Sequence, residues 1–352
     1  MDDDVTGNAA EGKAAEGNAA EGNDVHVGVL VPTGTAQLGG AGPAALMDFA
    51  AAAQDLGFDS LWVNDTLLSA RVEALTMLAA LAPATDRVLL GTAALLPVLR
   101  QPVQAAQALA SIQLLSGGRL VVTVGAGFPG RFGQPLYELS GVPWARRFAR
   151  LDDTVALWRE LWSGQNPGSF RGQVLSLDQI PPGVLACPGG GPPVWLGGGA
   201  PAALDRTGRL YDGWLPYPPD PADYRSGLDR VQSSAAAAGR PAGAVTPALF
   251  VSVLITEAAD GGRQAMSDYA AASYGLSLEA LQAIQALVAG PPQDVARHLG
   301  RYRDAGARHL VCRIAAAGLP QQHEQLARLA GLLPALRRAR PGSPSGTLLR
   351  TV

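Results

Sequence analysis

The sequence predicts an α/β protein of the (β/α)8 TIM barrel type, with insertions after its fourth and seventh strands. Two observations support this fold class. Short apolar runs alternate about eight times with longer stretches of helical period that are rich in Ala, Leu and Arg. The short runs are also apolar along their whole length, which is typical of parallel strands covered by helices. Eight such units within 352 residues favour a closed barrel.

Each predicted strand is a short β-branched or apolar run next to turn residues. The first strand ends at Pro32-Thr33-Gly34. An open, Rossmann-like sheet is the alternative architecture, but its G-x-G-x-x-G fingerprint would stand at that point. The strands are predicted at 25–31, 59–63, 87–96, 119–124, 193–196, 212–215, 247–256 and 309–314.

The predicted helices start and stop at residues that favour helix ends. Pro43 suits the first turn of the first helix and Gly57 its end, while Ser116-Gly117-Gly118 ends the third. Residues 125–143 and 163–192 are predicted to be irregular, and 257–290 to be an insertion with its own helices. The helices are predicted at 43–56, 71–81, 102–115, 144–162, 201–210, 221–238, 293–305 and 321–339.

Composition excludes several classes of protein. The net charge is −3 and no basic stripe is present, so nucleic acid is not an expected partner. No apolar run has the length of a membrane span. Cys187 and Cys312 are too few and too far apart for a disulfide framework or a zinc site, and we expect both to behave as small, partly buried hydrophobes. No other metal-ligand spacing is present, so we expect no metal. The low cysteine content fits a reducing compartment, and we expect a cytoplasmic location.

The ends of the chain differ in composition from the rest. Residues 1–23 repeat an acidic, glycine-containing unit and lack the basic and apolar regions of a signal peptide. We therefore predict disordered tails at 1–23 and 341–352 around a single barrel domain at 24–340.

The most informative strand end is the fifth. A strand is followed there by Gly197-Gly198-Gly199-Ala200 and then by a helix that starts at Pro201. Glycines let the backbone approach an anion closely, and a helix N-terminus offers free N–H groups and a positive dipole end. The segment indicates either a phosphate site or a tight turn whose glycines serve the backbone alone.

Three stretches give the chain a recognisable family likeness: GFDSLWVNDTLL (57–68), residues 87–128 from RVLLGTAALL to TVGAGF, and PPVWLGGGAPAALDRTGRLYDGW (192–214). Together they resemble the bacterial luciferase-like family. That family includes flavin (FMN)-dependent monooxygenases and oxidoreductases that use the deazaflavin coenzyme F420. The resemblance, with the barrel periodicity, spans residues 25–339 and implies a luciferase-like barrel.

The resemblance also implies a cofactor site. The ring would lie in the barrel mouth near strands two to four, beside Asp65 and beside Ala93-Ala94, which aligns with a non-prolyl cis peptide bond of the family. Gly125 and Gly127 align with the loop next to the ring. Gly197, Gly198, Gly199 and Ala200 align with the loop that binds the cofactor's phosphate through backbone N–H groups.

Two departures from the family pattern bear on the chemistry. Many deazaflavin-dependent relatives have Asp-His where this chain has Asp65-Thr66, and the sugar-phosphate dehydrogenases have a glutamate at the position of Phe128. Without these acid–base groups, reduction of an activated C=C or C=N bond by reduced F420 is favoured over alcohol oxidation, because water or a weak acid can protonate the product. The catalytic residues stay unknown, with Asp65 and Thr66 as candidates.

Two other functions remain open. One is a two-component monooxygenase that takes reduced FMN from a reductase and activates O2. The other is a non-catalytic flavin-binding barrel. For the enzyme, we expect a small-molecule or peptide substrate, a flavin or F420 reductase as a possible partner, and a homodimer.

Several single residues have two interpretations. Asp65 is either a ring-side residue or only a helix cap. Arg100 is a candidate for a negative group of the substrate or cofactor. Phe128, Tyr137 and Trp214 either line a substrate pocket or pack the protein. The four histidines are expected to be structural or surface residues, and Arg119 to form an ion pair at the base of the barrel.

Overall fold

The computed structural model describes residues 25–67, 69–127, 133–165, 167–183 and 187–337. The two predicted tails and the candidate Phe128 lie outside these residues, so the boundaries of the barrel domain stay a prediction. No helix in the described ranges combines the length and the apolar character needed to cross a bilayer.

The described elements follow the predicted alternation. The strands are β1 His26–Leu30, β2 Ser60–Val63, β3 Leu89–Leu95, β4 Leu120–Val124, β5 Phe170–Arg171, β6 Ser176–Leu177, β7 Val194–Gly197, β8 Gly213–Leu215, β9 Thr246–Ile255, β10 Leu287–Gly290 and β11 His309–Ile314. The helices are α1 Thr35–Leu38, α2 Ala44–Asp55, α3 Ala74–Ala84, α4 Pro102–Leu115, α5 Gln134–Leu139, α6 Arg147–Trp162, α7 Pro201–Leu210, α8 Pro221–Ala237, α9 Ala259–Tyr274, α10 Leu278–Gln282, α11 Pro292–Asp304, α12 Leu319–Ala330 and α13 Leu333–Arg337.

Eight parallel strands close into a barrel in the order β1, β2, β3, β4, β7, β8, β9 and β11. The last of these pairs with the first, since His26 lies opposite His309 and Val29 opposite Cys312. This confirms the predicted (β/α)8 fold and excludes the open sheet. The carboxyl ends of all eight strands therefore share one rim, which is where barrel enzymes place their active sites.

The insertions contain more regular structure than the sequence indicated. The segment after β4 holds α5 and the antiparallel β5–β6 pair. The segment after β9 holds α9, α10 and β10, and β10 pairs in parallel with the last four residues of β9. The prediction missed β10 because its apolar run is only four residues long and lies inside a segment that was predicted to hold helices.

Three helix predictions need correction. The second helix does not start at Arg71 but at Ala74, because the Glu73 side chain accepts a hydrogen bond from the Thr76 amide at 2.8 Å and caps it. The last helix is two helices, α12 and α13, separated by a turn at Gly331. The short α1 follows Gly34, where only a turn was predicted.

The barrel interior is filled by side chains, chiefly by two tryptophans. The rings of Trp62 and Trp195 lie 5.5 Å apart between their centroids. A Cβ at Gly28, Gly91 or Gly213 would collide with one of these rings, so glycine at these inward positions gives the rings room. The lower barrel is thus a packed core, and only the rim remains for binding.

The two cysteines and Arg119 all lie away from the rim. Cys187 and Cys312 are free thiols, and both are more fully buried than predicted; burial raises the pKa of Cys312 to about 12. Arg119 lies at the base of the barrel but forms no ion pair with a described carboxylate. Its guanidinium instead donates to backbone carbonyl oxygens, including those of Ala82 and Val88, and to the Thr85 hydroxyl.

Candidate active site

The carboxyl ends of β2, β3 and β4 meet at one side of the rim. Asn64 follows β2, and its side-chain amide donates to the Ala93 carbonyl oxygen at 3.4 Å. The Ala93–Ala94 peptide bond is cis, as the family resemblance implied. A Cβ at Gly125 would lie 3.7 Å from the Cβ of Ala94, so the end of β4 packs against the same step. The structure thus brings the predicted ring-side residues of β3 and β4 together.

Asp65 forms the most strongly connected polar group of this rim. Its carboxylate accepts two hydrogen bonds from Arg100, at 2.6 and 3.0 Å, and one from the Leu96 amide at 2.9 Å. Its side chain is only 5% exposed. The alternative that Asp65 merely caps a helix is wrong, because Glu73 occupies that position. Asp65 instead joins the end of β2 to the segment after β3.

Arg100 is held by two carboxylates. Besides Asp65, it donates to Glu73 at 2.7 Å. Burial opposes its charge, but the hydrogen bonds and charges of Asp65 and Glu73 raise the pKa of Arg100 overall. Its predicted contact with a negative substrate or cofactor group would have to form beside these existing ion pairs.

Two more ring-side candidates lie on the neighbouring loops. Thr66 lines a depression of about 240 Å³ next to Asp65 and Arg71. Gly127 has a φ of 88°, which favours glycine, and directly precedes Phe128. Whether these residues contact a cofactor stays a prediction.

The glycine segment after β7 has the geometry of an anion site. Gly198 adopts a φ of 110°, and α7 begins at Pro201. The amides of Gly198, Gly199 and Ala200 donate to no acceptor among the described residues. Gly199 and Ala200 are exposed. Three consecutive N–H groups therefore stay available at a helix N-terminus on the rim.

Two aromatic candidates pack the protein rather than line the mouth. Tyr137 is fully buried; its hydroxyl donates to the Ala126 carbonyl oxygen at 2.8 Å, and burial raises its pKa to about 12. Trp214 points outward to α8, where its ring stacks on Tyr224 with a centroid distance of 5.1 Å. The Trp214 indole nitrogen donates to the Gly198 carbonyl oxygen at 2.9 Å and so supports the glycine segment from behind.

A buried histidine lies at the opposite end of the barrel interior. His309 is 2% exposed, and its Nε2 lies 2.7 Å from the Ser60 hydroxyl. Because the Trp62 indole donates to that same hydroxyl, the hydroxyl proton is free to point at the imidazole. Burial lowers the pKa of His309 to about 3, so the ring stays neutral. This agrees with the predicted structural role.

Two arginines at the rim were not recognised from the sequence. Arg71 donates to the Ser69 hydroxyl and, at 3.3 Å, to Asn64 Oδ1. Arg313 is an inward residue of β11 and donates to the Tyr274 hydroxyl at 2.9 Å. Alternation along β11 could have revealed Arg313, since every second residue of a barrel strand faces the interior. Arg71 was not recognised as a rim residue because the predicted second helix (71–81) included it, whereas the observed helix starts at Ala74.

Comparisons with known proteins agree with this geometry. A family model described as luciferase-like monooxygenase matches residues 25–330. The chain is 36% identical over 186 residues to an F420-dependent glucose-6-phosphate dehydrogenase of Amycolatopsis mediterranei, covering 49% of this chain and 53% of the relative. It is 30% identical over 246 residues to a phthiodiolone/phenolphthiodiolone dimycocerosates ketoreductase of Mycobacterium bovis, covering 61% and 62%. The chain spans about half the length of the first of these curated relatives.

Solved structures share the fold. An F420-dependent secondary alcohol dehydrogenase in complex with an F420–acetone adduct superposes with a TM-score of 0.75 at 19% identity, covering 90% of this chain and 100% of that one. A coenzyme F420-dependent tetrahydromethanopterin reductase from Methanopyrus kandleri gives a TM-score of 0.73 at 16% identity, again covering 90% and 100%. At these identities the likeness concerns the fold.

Proposed function

Because the chain belongs to the luciferase-like monooxygenase family, we propose that it is an oxidoreductase that uses reduced coenzyme F420. It would transfer a hydride to an organic substrate, with an activated C=C or C=N bond as the acceptor. The F420-dependent relatives support the choice of cofactor. The observation that carries the proposal is the row of three available amides at the start of α7.

The α7 segment fits the phosphate end of such a cofactor. The amides of Gly198, Gly199 and Ala200 have no acceptor among the described residues. A Cβ at Gly199 would meet no atom within 4 Å, so the space beside the segment is open. Amide hydrogen bonds and the positive end of α7 together stabilise a phosphate without any lysine.

The ends of β2, β3 and β4 fit the ring end. β7 is separated from β2 by two strands, which corresponds to about 14 Å across the rim. That span suits an elongated molecule with a phosphate at one end and a ring at the other. Asn64, Ala93, Ala94 and Gly125 would then contact the ring, while Asp65 would hold Arg100 and the Leu96 amide behind it.

The bound deazaflavin would supply the hydride. The chain would hold the ring and the substrate together in a mouth whose floor is closed by Trp62 and Trp195. Thr66 stands where many deazaflavin-dependent relatives have a histidine, and a threonine hydroxyl is a poor acid or base. This favours reduction of an activated double bond, after which water or a weak acid supplies the proton.

Single-turnover kinetics test this proposal. The full chain, loaded with reduced F420, is mixed anaerobically with a panel of enones and imines, and separately with oxygenated buffer. We expect oxidation of F420 by at least one enone or imine in the absence of oxygen. Oxidation that always requires oxygen would favour the FMN-type monooxygenase alternative and contradict the proposal. Tight binding without any turnover would favour a non-catalytic flavin-binding barrel.

A further inference from the structure

Two arginines flank the strand that lies opposite the glycine segment. In the closed order of eight strands, β1 is diametrically across from β7. Arg313 belongs to β11, which pairs with one edge of β1, and Arg71 contacts the end of β2, which pairs with the other edge. Both arginines therefore lie on the side of the rim that is farthest from the start of α7.

Arg313 faces the barrel interior. His309 and Val311, which lie four and two positions before it, contribute to the inner core, and the residues between them pack outward. The Arg313 guanidinium carbon lies 5.1 Å from the ring centroid of Tyr269 and 5.4 Å from that of Tyr274. These rings favour its charge, but no described carboxylate forms an ion pair with it.

Arg71 is half-buried and has neutral partners. It donates to the Ser69 hydroxyl at 2.7 and 3.0 Å and to Asn64 Oδ1 at 3.3 Å. The pKa of Arg71 is lowered, mainly by burial and next by the nearby charge of Arg313. The second effect indicates that the two cations repel each other. The charge of Asp65 partly offsets this effect, but that carboxylate is already bound by Arg100.

Two like charges that are partly removed from water raise the free energy of the folded chain unless an anion binds between them. Neither Arg71 nor Arg313 forms an ion pair with a described carboxylate, so such an anion would have to come from a ligand. We propose, resting on the function proposed above, that Arg71 and Arg313 bind an oxyanion of the substrate, either a carboxylate or a phosphate. Guanidinium groups bind both anions through paired hydrogen bonds. The cofactor would occupy the part of the rim that runs from β2 through β3 and β4 to β7. The charged end of the substrate would occupy the part that runs from β11 through β1 to β2.

This assignment separates two anion sites in one mouth. The α7 segment offers backbone amides to the cofactor's phosphate, whereas the arginine pair offers side chains to the substrate. A substrate held by a charged end would keep its reacting double bond over the ring between the two sites. The pair would thus select for anionic substrates and would not be needed for cofactor binding.

Anion titrations of the full chain test the proposal. The dissociation constants of inorganic phosphate and of acetate are measured by thermal-shift titration at constant ionic strength against chloride. We expect at least one anion to stabilise the wild-type chain, and the stronger of the two identifies the charged group. Arg313→Gln and Arg71→Gln should each weaken that anion about tenfold. Because Arg71 lies on the loop between β2 and α3, Arg71→Gln should fold. This variant keeps the proposal testable if Arg313→Gln does not fold.

Control variants separate this pair from other sites. Arg87→Gln, at a 57% exposed arginine far from the mouth, should leave both dissociation constants unchanged. Ala200→Pro removes an amide of the α7 segment. In this variant, the anion should still stabilise the chain to the extent that the stabilisation depends on Arg71 and Arg313. Anion affinities that do not change in either arginine variant would overturn the proposal.

The affinity for F420 gives the second readout. We expect both arginine variants to bind F420 within about threefold of the wild-type chain, since a cofactor contact would cost more. A loss of F420 affinity that matches the loss of anion affinity would assign the pair to the cofactor and overturn the proposal. If the wild-type chain binds anions through the pair but never binds F420, the proposed cofactor fails and the arginine site stands.

Discussion

Asp65 and Arg100 connect two strand ends through a largely buried ion pair. The Asp65 side chain is 5% exposed and that of Arg100 is 20% exposed, so water screens the pair only weakly. Removing Asp65 leaves Arg100 with only the half-exposed Glu73 as its carboxylate partner and takes away the acceptor of the Leu96 amide, and such losses are costly in a largely buried pair. The sequence identified Asp65 as a site residue, but it could not identify the partner, because 35 positions separate Asp65 from Arg100.

Replacing Asp65 should destabilise the fold strongly. We expect Asp65→Ala to lower the free energy of unfolding by about 3 kcal/mol, since Arg100 loses its bidentate partner. Asp86→Ala is the matched control, because Asp86 is 80% exposed and lies 3.9 Å from an exposed Arg87. Its loss should cost less than about 0.5 kcal/mol. Urea unfolding of both variants measures the difference, and equal losses would contradict the structural role of Asp65.

His309 makes stability depend on pH. Its pKa is lowered to about 3 in the folded chain, mainly by burial, whereas an unfolded histidine titrates near 6.5. Between these values the unfolded state binds the proton and the folded state does not. The contribution of His309 is therefore fully present above pH ~6.5 and is lost as the pH falls towards 3, by about 1.4 kcal/mol per pH unit.

The variant His309→Gln removes this titration and can still accept a hydrogen bond from Ser60. Urea unfolding at several pH values between 4 and 7 should show a shallower loss of stability in the variant than in the wild-type chain. Identical slopes for the two proteins would show that His309 becomes protonated in the folded state or titrates normally.

The β7–α7 unit illustrates what local sequence patterns can predict. Consecutive glycines followed by Pro201 mark a strand, a tight turn and a helix start within one short window, and all three are present. The insertion after β9 illustrates the limit, because β10 depends on pairing with a strand more than 30 residues earlier. Short elements that are stabilised by distant partners leave only a weak local signal.

Removing one amide at this unit tests its role in anion binding. Ala200 has a φ of −66°, which proline adopts without strain, so Ala200→Pro removes the N–H and should keep the fold. We expect the dissociation constant for F420 to rise about tenfold or more, because a hydrogen bond to a charged group is lost. Ala200→Ser keeps the N–H and should bind like the wild-type chain. An unchanged affinity in the proline variant would place the phosphate elsewhere.

The architecture of the whole molecule was predictable because barrel periodicity repeats along the chain. Eight short apolar runs that alternate with helical stretches indicate the closed sheet without knowledge of any single contact. The arrangement across the mouth was not predictable in the same way. Arg71 and Arg313 lie more than 200 positions apart in sequence, and only closure of β11 onto β1 brings Arg313 to the same side of the rim as the loop after β2 that carries Arg71. The homodimer and the reductase partner stay predictions.

A direct comparison of cofactors tests the central claim that this mouth holds coenzyme F420. The full chain is titrated with F420 and with FMN, each oxidised and reduced, and binding is followed by fluorescence and calorimetry. We predict that F420 binds at least about tenfold more tightly than FMN, which corresponds to 1.4 kcal/mol or more. Tight binding of FMN together with undetectable binding of F420 in both redox states would contradict the account.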